Sequence, residues 1–377
     1  MIYDVGLPLT FFERPAVKAF LHRLRPAYNL PSRVRLSTEL LEDSYQSVRQ
    51  EVEEYLDKQD NLCISFDESN DIASNRIMNI AIITDRGAFY DQNVDIGAAK
   101  ATAEFCFEKI EQRAQAITKG QLQRINSIST DTCGTMLKTA RLVQAHPPFQ
   151  HTFMVPCDPH GLQLLIQDIC NHPTFQDVVK QADEIVAHFK GAKQQYQILK
   201  ELQRELCPNK RGKAYALTMR GKTRWGTAAR EFQRLISEAK ALRAFTTDTR
   251  VEGLSKSEGR LENVIKSIQS RLFWLQIAEL EEIVTPIADA QVLAQTDHAH
   301  LGYVKGRWNK IWEHLKRCEQ RSPTLFTASL WEKLEARKKR QLIDLHTLAH
   351  WLLPQTVIES RFEPGWLIPL TLFILMV

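Results

Sequence analysis

Two aspartates, Asp67 and Asp131, have the clearest capacity for chemistry in this 377-residue sequence. Each closes a short run in which apolar and smaller residues alternate: NLCISFD at 61–67 and RINSISTD at 124–131. Alternation with a period of two marks a half-buried strand, so both carboxylates fall where strands are expected to stop. Hard carboxylate oxygens hold Mg²⁺ or Mn²⁺, and a pair of such ions activates a nucleophile and stabilises the leaving oxygen in phosphoryl transfer. Asp is also common at strand ends for structural reasons, and Asp67 taken alone reads that way. Glu68 adjoins it, but alternation along a strand sends Glu68 to the other face. Asp85 and Asp95 read as turn and strand-end residues.

Two further clusters invite a chemical reading. Cys157, His160, Cys170 and His172 form a Cys/His set of the kind that binds zinc, yet Leu162, Leu165, Ile166 and Ile169 make the intervening segment an amphipathic core helix. Structural zinc needs four well-placed ligands, so no zinc is expected. His160 then reads either as a capped, satisfied histidine or as a polar group beside the acidic pair. The second cluster surrounds Trp225, in Lys222-Thr223-Arg224-Trp225. Residues 203–243 hold eleven Arg and Lys against three Glu, so the rest of a chain with net charge +4 is slightly acidic. Cations neutralise phosphate while an indole ring stacks on an unpaired base. A tryptophan packed in a helical core beside a solvated charged face fits equally well. Trp274, Trp308, Trp312, Trp331 and Trp351 sit in amphipathic patterns and read as core. The run 337–340 (RKKR) reads as a solvated helix face, with DNA contact or nuclear import as its functional alternatives.

The elements that must position these residues follow a specific order. Helices are expected over 15–60, with Val17, Phe20, Leu21 and Leu24 on one face, a stop at Pro26 and a new start near Ser37. The strand ending at Asp67 comes next. A hairpin-like turn at Asp85-Arg86-Gly87 and a strand from about Tyr90 to Ile96 complete an antiparallel meander. A helix over 98–118, the strand ending at Asp131, a helix over 134–144, a strand over 151–160 and a helix over 162–170 follow. This is the order of a ribonuclease-H-like core, in which the first and fourth strands lie parallel. Asp67 and Asp131 would meet at one sheet edge although 64 residues separate them. Residues 175–350 read as helical throughout, without a fixed repeat.

The fold class expected is therefore α/β, a ribonuclease-H-like mixed sheet with a large all-α insertion. Its divisions are a helical lead-in (1–60), the core (61–190), a helical insertion (191–354) and a truncated C-terminal segment (355–377). Seven scattered cysteines without a CxxC pair argue against a disulfide framework and for a reducing compartment. The N-terminus lacks a secretory pattern. The apolar run GWLIPLTLFILMV falls short of the roughly 18 residues of a membrane span, so it reads as a buried strand or the end of a shortened reading frame.

The sequence resembles the hAT superfamily of DNA transposases in several ordered stretches. Residues 24–45 are similar to the helical segment before the catalytic core. CISFDESND (63–71) and ISTDTCGTM (128–136) resemble the blocks of the first and second catalytic aspartates. CDPHGLQLLIQDI (157–169) resembles the Cys-x-x-His block, and TRW (223–225) the tryptophan block that opens the helical insertion. Residues 273–290 and 345–354 resemble that insertion. The resemblance implies cut-and-paste transposition by an Asp-Asp-Glu triad with divalent metal. It gives Asp67 and Asp131 the metal and catalytic roles, Cys157 and His160 a place near the active site, and His160, Arg224 and Trp225 the contacts to nucleic acid, Arg224 to a phosphate and Trp225 by stacking. It further implies a nuclear protein with DNA as partner, a homo-oligomer or a related transposase as a second partner, and neither a membrane nor a small-molecule substrate.

The pattern is incomplete at both ends. No BED-type zinc finger precedes Leu24, and the glutamate block in a Ser-Glu-Arg context has no counterpart, Glu359 and Glu363 lying in other surroundings. The expectation is a transposase-derived DNA-binding protein whose two-metal site is degenerate and whose autonomous transposition is lost. The alternative is a non-catalytic nuclear scaffold for protein interactions.

Overall fold

The computed structural model describes residues 2–97, 101–207, 214–221, 225–252, 259–296 and 299–354. They fall into two compact units, Met1–Met154 and Val155–Val377.

The first unit opens with short helices, α1 (Pro15–Leu24), α2 (Arg33–Ser37) and α3 (Glu39–Leu56). Ser32 caps α2, its hydroxyl accepting from the amide of Arg35. Strands β1 (Leu62–Asn70), β2 (Arg76–Thr84) and β3 (Gly87–Asp95) form an antiparallel meander. Helix α4 (Ala103–Thr118), strand β4 (Ile125–Thr130), helix α5 (Gly134–Ala145) and strand β5 (Phe153–Pro156) complete a sheet of order β3-β2-β1-β4-β5. β4 runs parallel to β1, with Ile64 opposite Ile128 and Phe66 opposite Thr130. This is the ribonuclease-H-like mixed sheet that the element order implied.

Alternation decides which face is covered. Leu62, Ile64 and Phe66 of β1, Met78, Ile80 and Ile82 of β2, and Ile125 and Ile128 of β4 are all buried. They pack on Cys106, Ile110, Ala114 and Ile117 of α4 and on Met136 and Val143 of α5. Odd-numbered residues of β1, from Cys63 to Asp67, occupy the other face.

The second unit, among its described residues, has only helices as regular elements beyond β5. It contains α6 (Asp158–Cys170), α7 (Gln176–Gly191), α8 (Lys193–Leu206), α9 (Ala228–Ser237), α10 (Ala239–Phe245), α11 (Thr249–Glu252) and α12 (Gly259–Gln269). After these come α13 (Arg271–Leu293), α14 (Gly302–Arg321), α15 (Ala328–Gln341) and α16 (Asp344–Trp351). Apolar α13 is the centre of this unit and packs against α6, α7, α9 and α14. Its core holds Trp308, fully buried, with Phe189, Phe232, Phe245 and Phe273 around the same cluster.

Several sequence expectations are revised. β1 does not stop at Asp67; it runs on to Asn70, because β2 stays paired with it after β4 has left. β3 begins at Gly87, directly after the Asp85-Arg86 turn. β5 covers only four residues, and the segment expected to continue it has already become helix α6, started by Cys157 at the N-cap and a proline in the first positions. Trp351, expected in the core, is 43% exposed. Half of the 337–340 run is also tied down. Arg337 pairs with Asp168 at 2.8 Å and Lys338 lies over the Trp312 ring at 4.5 Å, while Lys339 and Arg340 are exposed.

Candidate functional site

Asp67 and Asp131 occupy equivalent places on neighbouring parallel strands. Phe66 and Thr130 are the last opposed residues of β1 and β4, and each aspartate is the next residue in its chain. Asp67 lies within β1, opposite Asn79 of β2, and is exposed; Asp131 follows β4 and is half-buried. The local fold also uses Asp131. Its Oδ1 accepts from the amide of Cys133 at 3.1 Å, a side-chain turn that leads into α5. The two carboxylates offer the hard oxygen donors that Mg²⁺ or Mn²⁺ takes, and water must supply most of the six positions such an ion needs. Among the described residues, no group of three or more His, Cys, Asp and Glu is arranged to hold a metal. Glu68 is engaged elsewhere, in an ion pair with Arg76 at 2.6 Å. Asp95 accepts from the amide of Gly97 at 2.8 Å, the strand-end role expected of it, and Asp85, in the turn between β2 and β3, accepts from the Tyr55 hydroxyl of α3 at 2.8 Å.

The Cys-x-x-His segment forms the start of α6. His160 is half-buried in the first turn. Between Cys157 and His160 lies the residue with the strongest partners, Asp158. It is 8% exposed, its Oδ2 accepts from Arg307 and its Oδ1 accepts from the indole N–H of Trp308 at 2.7 Å. Burial pushes its carboxyl pKa up, while the Trp308 hydrogen bond and the Arg307 charge pull it back. Cys170 is fully buried, and burial pushes its thiol up to about 12. Both ring nitrogens of His172 are engaged, Nδ1 with the Thr174 hydroxyl at 2.9 Å and Nε2 with the Ser329 hydroxyl at 3.0 Å. The Thr174 amide also donates to Nδ1 at 3.3 Å, which leaves the proton on Nε2, facing Ser329. A histidine in that tautomer cannot take the serine proton, so the pair ties α15 down and is not a nucleophile with its base.

Trp225 is 7% exposed and belongs to the second unit's core. A Cβ at its neighbour Gly226 would meet only the movable end of the Gln291 side chain. The guanidinium of Arg220 lies over the indole at 4.5 Å. Arg220 also makes a two-pronged pair with Asp183, at 2.5 and 2.6 Å, and its amide donates to Glu231 Oε2 at 3.1 Å. Glu231 has no exposed surface. Burial, and then the nearby Asp183 charge, push its carboxyl up to about 7. Arg224, the expected phosphate contact, lies outside the described residues, as do Glu359 and Glu363.

This cation–ring–carboxylate cluster was missed in the sequence, where Arg220 counted only as one charge of a basic stretch. The signal was faint: a Glu at 231 within the apolar face of an otherwise basic helix. Among the other cations, Arg234 lies over the Tyr215 ring at 3.9 Å, whereas Arg230 and Lys240 are exposed.

Residues 31–185 match the model of one family, a domain of unknown function, DUF659. The match takes in α2 and α3, the whole sheet with both aspartates, α6, and most of α7. No curated protein matches the chain.

Proposed function

We propose that this chain is a hAT-transposase-derived DNA-binding protein that retains two of the carboxylates of a two-metal phosphoryl-transfer site. The observation that carries the reading is the pairing of Asp67 with Asp131 at equivalent positions on parallel strands of a ribonuclease-H-like sheet. The DUF659 match over the same stretch supports a transposase-related origin. Asp67 and Asp131 would hold Mg²⁺ or Mn²⁺, which supplies charge neutralisation at a phosphate and a lowered pKa for a bound water. The chain's own contribution is to bring two carboxylates to one face, with one Asp131 oxygen already fixed by the Cys133 amide. Two carboxylates bind such ions weakly, so the reading is of a DNA-binding protein with a degenerate site and no autonomous transposition. It entails a nuclear location.

The test is incubation of the purified chain with transposon-end DNA and Mn²⁺. Binding without cleavage is expected. Cleavage that Asp67→Ala abolishes would replace the degenerate site with an active one. A second reading, a non-catalytic nuclear scaffold, is favoured by the burial of Trp225, whose ring is covered on one side by Arg220 and cannot stack on a base in this arrangement. DNA affinity that does not change with salt, or no affinity at all, would decide for the scaffold.

A further inference from the structure

Helix α3 carries one apolar stripe with two different fates. Leu41, Tyr45, Val48, Val52 and Leu56 fall within about 80° of one another at roughly 100° per residue. At the C-terminal end Leu56 is buried and Val52 packs against the sheet core. At the N-terminal end Leu41, Tyr45 and Val48 are 44, 53 and 59% exposed. The stripe borders a cavity of about 450 Å³ between α3, β3 and α4, to which Tyr45, Val48, Val52, Phe89 and Tyr90 contribute. Six acidic residues lie on α3, with Glu42 and Glu51 flanking the stripe on opposite sides. The one cation of α3, Arg49, is turned toward β3, where it donates to the Asp91 carbonyl at 3.1 Å.

The same unit presents the complement. Helix α1 buries no residue, and its apolar face includes Phe20 and Leu24, 61 and 67% exposed. It carries Lys18, His22 and Arg23, no acid, and is bracketed by Arg14 and Arg25. Lys18 and Arg25 lie beside the apolar face. A basic helix with an uncovered apolar face and an acidic helix with an uncovered apolar stripe are matched in both period and charge.

We propose that α1 of one copy of this chain docks on the α3 stripe of a second copy, and that the exchange is reciprocal. A two-fold arrangement makes every such contact twice, which is how a surface of modest size supports a dimer. Phe20 and Leu24 cover Tyr45 and Val48 across the mouth of the cavity, while the basic α1, with Lys18 and Arg25 on one side of its apolar face, lies against the acidic α3 that carries Glu42 and Glu51. Pairing α3 with α3 instead would bring acid against acid. The proposal does not depend on DNA or metal binding.

Sedimentation velocity of the full chain tests it. A dimer at micromolar concentration is expected, weakening as salt is raised. Lys18→Glu with Arg25→Glu, or Glu42→Lys with Glu51→Lys, should each raise the dimer dissociation constant at least tenfold. These positions are exposed, so circular dichroism and thermal midpoints should stay at the wild-type values. Mixing the two reversed chains should restore a dimer, because one contact then pairs reversed α1 with reversed α3 and the other pairs the two unaltered helices. A monomer at all concentrations, as when α1 covers its own α3, would overturn the proposal. So would a dimer that ignores both reversals, or a mixture that stays monomeric.

Discussion

At the scale of single residues, the second unit buries several charged groups within a core that is otherwise apolar. Glu231 shows what this costs. Its folded pKa, pushed up to about 7 by burial, stands above the ordinary 4.5. Between those values the folded chain keeps a proton that the unfolded chain releases, so this group's contribution to stability is full below pH 4.5 and is lost as pH rises through 7. His346 acts oppositely. Burial pushes it down to about 4 from 6.5, so its contribution is full above pH 6.5 and is lost as pH falls through 4. Glu231→Gln keeps an oxygen for the Arg220 amide, offers an N–H toward Asp183 and removes the charge. The variant should be more stable than wild type at pH 8, by at most ~3 kcal/mol, with the difference vanishing near pH 4. Urea unfolding of both chains across that range gives the difference directly, and the His346 contribution cancels from it. An equal loss of stability at every pH would show that the carboxyl acts by shape instead.

At the scale of elements, β3 carries the clearest irregularity. Tyr90 opposes Ala81 and Gln92 opposes Ile80, so Asp91 is an extra residue, a bulge in the edge strand. The bulge turns Asp91 inward, where it is 8% exposed and held by both Arg113 and Arg49. Unpaired edge strands invite foreign strands, and a bulge whose carbonyl already accepts from Arg49 discourages that pairing. Asp91→Leu alone leaves Arg113 without its counter-charge and should cost about 3 kcal/mol, whereas Arg113→Met alone leaves Asp91 with Arg49 and should cost less. The double variant should cost much less than their sum, a coupling of ~2 kcal/mol in a denaturation cycle. Costs that simply add would mean that the pair does not hold the bulge. Irregularities of this kind were not legible in the sequence, whereas the sheet itself was. Ile64, Phe66, Ile80, Ile82 and Ile128 alternate strictly, and alternation is what a one-sided sheet requires. The strand order followed, and with it the adjacency of Asp67 and Asp131. β5 was misread because its short apolar run, Phe153–Pro156, gives way at once to α6, whose polar opening at Asp158, Pro159 and His160 is a helix start and not the end of a strand. The partners of Asp158 were illegible for another reason: Arg307 and Trp308 lie 149 and 150 residues away, and no local pattern records such a contact.

At the scale of the whole molecule, the question is how much of the basic charge is available to a polyanion. Sequence counting treats all eleven cations of residues 203–243 alike. The fold separates them. Arg220 is spent on Asp183, Glu231 and the Trp225 ring, and Arg234 lies over Tyr215 and 3.9 Å from Glu238. Arg230 and Lys240 reach solvent on α9 and α10. Each phosphate neutralised adds about −0.9 to the slope of log affinity against log salt for duplex DNA. If the proposed DNA binding uses the exposed cations, Arg230→Ala with Lys240→Ala should lower affinity and flatten that slope by up to ~2, with the unfolding midpoint unchanged. Arg220→Ala should do the reverse. It would leave Asp183 and Glu231 without their shared cation, lower stability by ~3 kcal/mol, and leave the salt slope of the remaining folded protein as it was. Fluorescence anisotropy over a salt series, paired with urea unfolding of the same preparations, separates the two classes. A slope that falls only with Arg220→Ala would mean that the Trp225 cluster opens to meet DNA, and it would return the buried tryptophan to the binding surface.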